Sequence, residues 1–240
     1  MLYRGKRVRE RGRLPKGKFP KKGGRRLVSG LLALVLCLTL VPVIYADTVV
    51  TVTSWYAAGA FEENTLYWVD NNNEQGAEMA VRHLQKQGYQ CIAYLGGHQK
   101  RGFTKRRIRG YQNVNSGTET ILNTDGTAEN AYTLAFDALK TDDHPDAFVC
   151  NDNLAAFGLL KACKELHLSV PQEIGIVAFD NYPLAEYMDP PLTIVDIDTA
   201  MLGEQSVQLL FRRIENKVGN QQIILSTNLV VRASSERKAK

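Results

Sequence analysis

Two strand-like segments of this sequence each end in a polar side chain that is suited to binding a small ligand. Residues 174–179 are followed directly by Asp180, and residues 146–150 are followed by Asn151. Apolar runs with β-branched residues are typical of strands buried on both faces of a parallel sheet. Polar residues just past the carboxyl ends of such strands lie at the crevice where α/β proteins bind ligands. Asp180 and Asn151 are therefore candidate ligand-binding residues.

Both residues also have a purely structural interpretation, and the sequence leaves the choice open. Asp180 and the Asn181 that follows it fit a turn or a helix N-cap equally well. Asn151 fits a plain turn from a strand into a helix. Asp152 is predicted to cap that helix, residues 153–166, by accepting hydrogen bonds from its first amides.

An alternation of strand and helix patterns positions these side chains. It predicts an α/β fold with a mainly parallel sheet and right-handed crossovers. The predicted strands are residues 48–54, 65–70, 91–95, 118–122, 146–150, 174–179 and 193–197. The predicted helices are residues 75–87, a segment beginning near Thr104, and residues 127–139, 153–166 and 202–217.

Two details of the C-terminal part follow from the same patterns. The helix at residues 202–217 is predicted to bury one apolar face, made of Val207, Leu210, Phe211 and Ile214. Residues 222–225 and 228–232 are predicted to form a closing hairpin.

The charges of the chain are unevenly distributed. Residues 1–26 contain twelve Lys or Arg and one acid, whereas the remainder contains eighteen Lys or Arg and twenty-four acids. The first segment is predicted to be a basic disordered tail, which could contact phosphates without sequence preference. The remainder is mildly acidic, so its total charge does not indicate a nucleic-acid surface.

Residues 27–46 form an apolar segment directly after the basic tail. The run LVSGLLALVLCLTLVPVIYA fits a secretory signal peptide, and it is barely long enough to span a bilayer. Export is therefore one interpretation of the N-terminal part.

The residue types that most often catalyse reactions are scattered. Four cysteines occur without a C-x-x-C pair or zinc spacing, and the four histidines are isolated in the sequence. The sequence also contains no nucleophile elbow, P-loop or G-x-G-x-x-G motif. We therefore expect a binding protein without a cofactor or a metal, and not an enzyme. Unpaired thiols suit a reducing cytoplasm.

Several motifs occur together in the order found in one family. The run VPQEIGIVAFDN at residues 170–181 is followed by PPLT, by LGEQSVQLL at residues 202–210, and by LVVRASS at residues 229–235. From about residue 69 to residue 235, the chain resembles the sensor domain of the LacI/GalR family of bacterial transcription regulators. The resemblance implies a periplasmic-binding-protein-like type I fold with two parallel-sheet subdomains around a ligand crevice, spanning residues 47–235.

The same resemblance adds Arg107 to the candidate site. In the family, an Arg three residues before a Gly-aromatic pair projects into the crevice, and here that position is Arg107, ahead of Gly110. A guanidinium suits bidentate contact with sugar hydroxyls or a phosphate. The alternative is that the cluster of Lys105, Arg106, Arg107 and Arg109 is only a solvated helix face.

The resemblance also bears on the N-terminal part. The segment at residues 27–46 resembles a strand pair of the N-terminal subdomain, which competes with its interpretation as a signal peptide. The resemblance implies that the first half of that subdomain is missing or replaced, which predicts an incomplete subdomain. A helix-turn-helix DNA-binding head is also not recognisable in the sequence.

Two single positions depart from the family pattern. A ligand-stacking aromatic aligns near Gly126, and the family Asp before the first helix of the lobe aligns with Asn72. Both departures weaken the expectation of full ligand affinity.

Together these features predict the ligand-sensing domain of a LacI/GalR-type regulator. The expected ligand is a small effector, a sugar or a sugar phosphate, which contacts Arg107, Asn151 and Asp180. The expected partners are a second copy of the chain in a homodimer, and DNA only through the head that this chain lacks. The expected location is the cytoplasm, and the alternative is an exported periplasmic-type sugar-binding protein.

Overall fold

The computed structural model of this chain describes residues 43–45, 48–52, 67–98, 100–215 and 222–237. The strands are β1 Val43–Tyr45, β2 Thr48–Val52, β3 Tyr67–Asn71, β4 Ile92–Leu95, β5 Thr120–Leu122, β6 Ala147–Cys150, β7 Gly175–Phe179, β8 Thr193–Asp196, β9 Gln222–Leu225 and β10 Asn228–Val230. The helices are α1 Asn73–Lys86, α2 Gly102–Val114, α3 Ala128–Leu139, α4 Asn153–Glu165 and α5 Thr199–Ile214, with a 3₁₀ helix at Pro183–Glu186.

The strands form two sheets that are mainly parallel. The smaller sheet has the order β1-β2-β3-β9, and the larger has the order β10-β8-β7-β6-β4-β5. The antiparallel pairs among the described strands are β1 with β2 and β8 with β10. This architecture confirms the predicted α/β class with two mainly parallel sheets.

The larger sheet is buried between two helix layers. Phe148 of β6 and Ile176 of β7 pack with α3 and α4, whereas their neighbours Val149 and Val177 pack with α1 and α2. Successive side chains of a strand point to opposite faces, so a strand covered on both faces must be apolar throughout. This is why these strands appear in the sequence as continuous apolar runs.

The smaller sheet packs on α5, but through a face of the helix that differs from the prediction. Leu202, Ser206 and Leu209 are buried, and Leu202 and Leu209 pack with Tyr67 and Val69 of β3. The predicted face was wrong, because its members Val207, Phe211 and Ile214 are more than half exposed. Two adjacent faces of the helix carry side chains at helical spacing. Periodicity alone cannot say which of these faces packs on the sheet.

The chain passes between the two sheets at three places. It leaves β3 for α1 at Asn71–Asn73, leaves β8 for α5 near Asp198, and leaves β9 for β10 at residues 226–227. The predicted closing hairpin was therefore wrong, since β9 and β10 belong to different sheets. The amide of Asn72 donates to the carbonyl of Leu225 at 2.8 Å, which ties the first crossing to the third.

Most of the predicted N-terminal segments lie outside the described residues. Residues 1–26 are not among them, and of the segment 27–46 only Val43–Tyr45 is described, as β1, which pairs with β2. The predicted incompleteness of the N-terminal subdomain likewise concerns residues before β1. Within the described part of the chain, no helix is both long and apolar enough to cross a membrane.

Candidate functional site

The three residues predicted for the site lie together in the structure. β6 and β7 are parallel neighbours, so Asn151 and Asp180 follow adjacent strand ends. Arg107 reaches both from α2: its Nη2 lies 3.3 Å from Oδ1 of Asp180, and its Nη1 donates to the carbonyl of Asn151. A shared edge of parallel strands thus places a guanidinium, a carboxylate and an amide within one contact network.

The guanidinium of Arg107 is buried and held from several directions. Its side chain is 4% exposed. Nε donates to Oδ1 of Asn73 at 2.8 Å, and the guanidinium carbon lies 3.9 Å from the ring centre of Phe179 and 5.0 Å from that of Phe103. Planar guanidinium groups stack on aromatic rings in this way.

The solvated-face interpretation of the basic segment therefore holds only in part. Lys105 and Arg109 are exposed, whereas Arg107 points into the protein. The helix α2 thus has a solvated basic side and a buried side that carries the candidate guanidinium.

Asp180 occupies an unusual backbone position at the end of β7. Its φ angle is +71°, which costs a residue with a Cβ about 1–2 kcal/mol, and the residue is buried. Non-glycine residues held in such conformations cluster at functional sites. Asp180 is not a helix cap, because the 3₁₀ helix that follows is preceded by Tyr182 and has no side-chain cap.

Burial governs the charge of this carboxyl group. Desolvation raises the pKa of Asp180 above its usual value, and the nearby Asp152 raises it further, while the guanidinium of Arg107 opposes the increase. The carboxylate is thus poorly solvated and depends on Arg107 for its stabilisation. Such groups are typical of ligand sites, although ion pairs with only a structural role shift pKa values as well.

The side chain of Asn151 makes buried hydrogen bonds within the site. It is fully buried, and its Oδ1 accepts from the hydroxyls of Tyr94 at 2.8 Å and Thr104 at 3.2 Å. Its Nδ2 donates to Oδ2 of Asp152 at 3.0 Å. The other carboxylate oxygen of Asp152 accepts from the amide of Ala155 at 2.9 Å, which confirms the predicted cap of α4. A direct contact between Asn151 and a ligand remains a prediction.

The polar run at residues 70–73, where β3 ends and α1 begins, contributes further residues to the site. Asn72 does cap α1, since its Oδ1 accepts from the amide of Gln75 at 3.1 Å. Asp70, however, is buried and paired with Arg106, and Asn73 contacts Arg107. Desolvation raises the pKa of Asp70, against the effect of Arg106. The signal was available, because Asp70 is the last residue of the strand predicted at residues 65–70.

Asn153 is a further residue that the sequence analysis missed. Its Nδ2 donates to the carbonyls of Phe179 at 3.1 Å and Asp180 at 2.5 Å, which fixes the end of β7. Among the described residues, its buried Oδ1 has no hydrogen-bond partner. We call this group of buried polar side chains the strand-end cluster; its members are Asp70, Asn73, Arg107, Asn151, Asn153 and Asp180.

The chemistry of the strand-end cluster is that of recognition. A guanidinium donates hydrogen bonds, and a carboxylate and amide oxygens accept them, so the cluster matches a ligand that carries hydroxyl groups. Across the described ranges, no group of three or more His, Cys, Asp or Glu side chains is placed to hold a metal ion.

The comparisons with known proteins agree with this geometry. Residues 81–235 match the model of the periplasmic binding protein-like domain. The HTH-type transcriptional repressor PurR of Vibrio vulnificus is 30% identical over 169 residues, which cover 68% of this chain and 51% of that protein. This chain spans about half the length of the curated relatives it matches.

Two solved structures show the same fold. A putative LacI transcriptional regulator from Bacillus cereus subsp. cytotoxis has a TM-score of 0.70 at 26% identity, over 76% of this chain and 68% of that one. A LacI family regulator from Enterococcus faecium, solved with bound ribose, has a TM-score of 0.67 at 23% identity, over 75% of this chain and 69% of that one. Because the family model covers well over half of the sequence and the fold agrees over 76% of this chain, the chain belongs to the periplasmic binding protein-like family, as a sensor domain of the LacI/GalR type.

Proposed function

We propose that this chain senses a small sugar-like effector, which binds at the strand-end cluster of a LacI/GalR-type transcription regulator. The observation that carries the proposal is the buried contact between Arg107 and Asp180 at the carboxyl ends of adjacent parallel strands. Such an edge is the usual ligand position in open α/β sheets.

The chemistry of the pair matches vicinal hydroxyl groups. The guanidinium of Arg107 can donate to one hydroxyl oxygen, while the carboxylate of Asp180 accepts from the next hydroxyl. The Enterococcus faecium regulator has ribose bound, which supports a sugar as the class of effector. Asn151 orients the guanidinium of Arg107 through the carbonyl that accepts from it.

The three places where the chain crosses between the sheets can transmit the effect of ligand binding to the rest of a regulator. A ligand held at the cluster would contact residues on both sides of the first of these crossings, because Asp70 lies in β3 and Asn73, the first residue of α1, touches Arg107. A ligand that binds one arrangement of the two sheets more tightly shifts the population toward it. In a homodimeric regulator, this shift would change how a helix-turn-helix head meets a two-fold operator.

This proposal places the chain in the cytoplasm and assigns it no catalytic step. The competing proposal is an exported sugar-binding protein. The pairing of β1 with β2 supports the cytoplasmic sensor, because removal of a signal ending at residue 46 would delete β1. N-terminal sequencing of the protein from its native host tests this point, and a mature start at Asp47 would favour export.

A thermal-shift screen against a panel of sugars tests the proposal directly. We expect at least one sugar to raise the melting temperature of the full chain, and we expect Asp180→Asn to abolish that shift. The control is Asp137→Asn, which makes the same chemical change at an exposed position on α3. A shift that survives Asp180→Asn unchanged would place the sugar elsewhere.

A further inference from the structure

Helix α5 carries apolar side chains on the side that faces away from the smaller sheet. Leu202 and Leu209 pack on that sheet, whereas Val207, Phe211 and Ile214 are more than half exposed. Successive residues are about 100° apart around a helix, so the three exposed side chains point roughly 150° away from the two packed leucines. The smaller sheet therefore cannot cover them. A continuous exposed stripe of this kind, unlike a single exposed residue, is typical of an interaction surface.

The size of the side chains changes along this exposed side. We call the five exposed residues Ala200, Gly203, Val207, Phe211 and Ile214 the outer stripe of α5. They are three or four positions apart, so they form one row on the helix surface. The first two are small and the last two are bulky, and a Cβ atom placed on Gly203 would meet no described atom within 4 Å. The outer stripe thus has a recess in its first half and a ridge in its second half.

A second copy of the same helix, running in the opposite direction, fits this taper. With a two-fold axis at Val207, the Phe211 side chain of one copy lies over Gly203 of the other, and the Ile214 side chain lies over Ala200. A two-fold interface joins the same patch of both copies, so both ridges fill both recesses. A parallel pair would place Phe211 against its own equivalent and leave a gap at Gly203. The shape therefore favours antiparallel pairing.

The charges of α5 favour the same arrangement. Glu204 lies in the first half of the helix, and Arg212 and Arg213 lie in its last turn. Glu215, which follows that turn, leaves this end with a net positive charge. Antiparallel pairing brings the acidic half of one helix next to the basic end of the other, and it also sets the two helix macrodipoles in opposite directions. A parallel pair would bring like charges together, which costs free energy.

We propose that the outer stripe of α5 is a self-association surface, on which a second copy of this chain docks its own α5 in antiparallel orientation. Phe211 of each copy fills the recess at Gly203 of the other. The outer stripe shares no residue with the strand-end cluster, so this inference does not depend on a sugar effector. It gives the homodimer of the proposed function a specific interface.

The size of this interface sets the expected affinity. Helix α5 has 16 residues and is therefore about 24 Å long. One pair of such helices buries less surface than a standard stable interface of about 1,600 Å², so the complex belongs to the weak, reversible class. We therefore expect dissociation in the micromolar range, and a dimer that forms as the protein is concentrated.

Sedimentation equilibrium of the full chain without ligand, from about 1 to about 200 μM, tests the inference. We expect a reversible equilibrium between monomer and dimer with a Kd of about 10–100 μM. Phe211→Glu should weaken association at least about tenfold, because the dimer would then bury an unpaired charge. Phe211 is exposed in the single chain, so the variant should fold normally.

A second variant separates association from folding. Gly203→Leu fills the recess and should also weaken association at least about tenfold. In the single chain the new side chain points into open space, and Leu favours a helix more than Gly does, so the melting temperature of the monomer should rise. Adding Phe211→Ala moves the recess to the other half of the stripe. The double variant should therefore associate more tightly than Gly203→Leu alone.

The matched control removes an exposed apolar side chain from the same sheet. Ile224 of β9 is more than half exposed, and its neighbours Ile223 and Leu225 pack toward α5, so Ile224 points to the opposite face. Ile224→Glu should leave the association unchanged.

Each other outcome contradicts the inference. A chain that stays monomeric at about 200 μM does not use the outer stripe for self-association. A dimer that tolerates both Phe211→Glu and Gly203→Leu forms through another surface, and equal weakening by Ile224→Glu would show non-specific association. None of these results bears on the effector site, because sugar binding is measured separately.

Discussion

The strand-end cluster differs from a second buried polar region near the end of the chain, which we call the C-terminal clasp. The clasp consists of Ser234, Ser235 and Arg237 together with their partners His83 and Thr193. Ser234 Oγ donates to the carbonyl of Ile176 at 2.7 Å and accepts from the amide of Thr193 at 2.8 Å. Ser235 Oγ lies 2.6 Å from Oγ1 of Thr193 and 2.7 Å from Nε2 of His83.

The remaining member of the clasp is equally well satisfied. Arg237 donates to the carbonyls of Gln172 at 3.0 Å, Gly88 at 3.2 Å and Glu173 at 3.3 Å, and its guanidinium lies 4.0 Å from the ring centre of Tyr89. The cluster, in contrast, retains one buried acceptor, Oδ1 of Asn153, that has no partner among the described residues. A buried polar group alone therefore does not mark a binding site, whereas an incompletely satisfied group of donors and acceptors does.

The largest expected effect comes from breaking the ion pair of the cluster. Arg107→Met leaves the carboxylate of Asp180 buried and unpaired, so we expect the free energy of unfolding at pH 7 to fall by about 3–5 kcal/mol. Sugar binding should be lost in the same variant. Urea denaturation and the thermal-shift screen measure the two effects.

The matched control for this change is Arg109→Met on the same helix. The side chain of Arg109 is 68% exposed, so its loss should change stability by less than about 0.5 kcal/mol and leave binding intact. Equal losses of stability and sugar binding in the two variants would mean that the buried ion pair contributes no more than the exposed arginine.

The clasp provides the second-largest effect, on stability alone. Ser234→Ala leaves the amide of Thr193 and the carbonyl of Ile176 without their partner, and we expect a loss of about 2–3 kcal/mol. Sugar affinity should not change. Ser116→Ala is the control, because Ser116 is exposed and makes only a long contact of 3.4 Å with Gln85. A change in sugar affinity in Ser234→Ala would show that the two regions are coupled.

The sequence was sufficient to predict the strand-end cluster in outline. Asp180 and Asn151 follow continuous apolar runs, and parallel pairing of those runs brings the strand ends together. Arg107 required the family resemblance, since helical periodicity alone does not separate it from its exposed neighbours Lys105 and Arg109. Local patterns thus located the residues, but they did not show the contacts that hold the guanidinium.

The clasp and the smaller sheet were not predictable in this way. His83 and Ser235 are 152 positions apart in the sequence, and no local pattern connects them. The hairpin predicted at residues 222–232 failed because two strands separated by a short turn usually pair, whereas β9 and β10 diverge into separate sheets. Contacts between segments that are distant in the sequence determine both the clasp and the separation of β9 from β10. Such contacts leave no periodic pattern in a single sequence.

The pH dependence of stability gives the third prediction, for the cluster. Burial raises the pKa of Asp180, so the folded state binds this proton more readily than the unfolded chain does. Between the ordinary Asp pKa of about 4 and the raised value, stability therefore falls as pH rises. Asn does not titrate, so the stability of the wild type relative to Asp180→Asn should fall over this range and level off above it.

Urea denaturation of both proteins from acidic to neutral pH measures this difference. Asp70, whose pKa is also raised, titrates in both proteins, so its contribution cancels in the difference between their stabilities. A difference that rises with pH would mean that attraction to Arg107 outweighs desolvation, and that the pKa of Asp180 is lowered.

The smallest effect is expected for His83 in the clasp. There the change of stability with pH has the opposite sign to the change at Asp180. Burial lowers the pKa of His83, with Lys86 acting in the same direction and Glu236 against it. The folded state therefore binds this proton less readily than the unfolded chain does. Its stabilising contribution is complete above the ordinary His pKa of about 6.5 and is lost as pH falls from that value through the lowered pKa of the folded state.

His83→Gln tests this sign, because Gln does not titrate and its amide can still donate to Ser235. The wild type should lose stability relative to this variant on acidification, whereas it should gain stability relative to Asp180→Asn on acidification. Sugar affinity should be unchanged in His83→Gln. Opposite slopes in one pair of titrations would separate the two buried polar regions without any knowledge of the ligand, since each slope reports whether burial there acts on an acid or on a base.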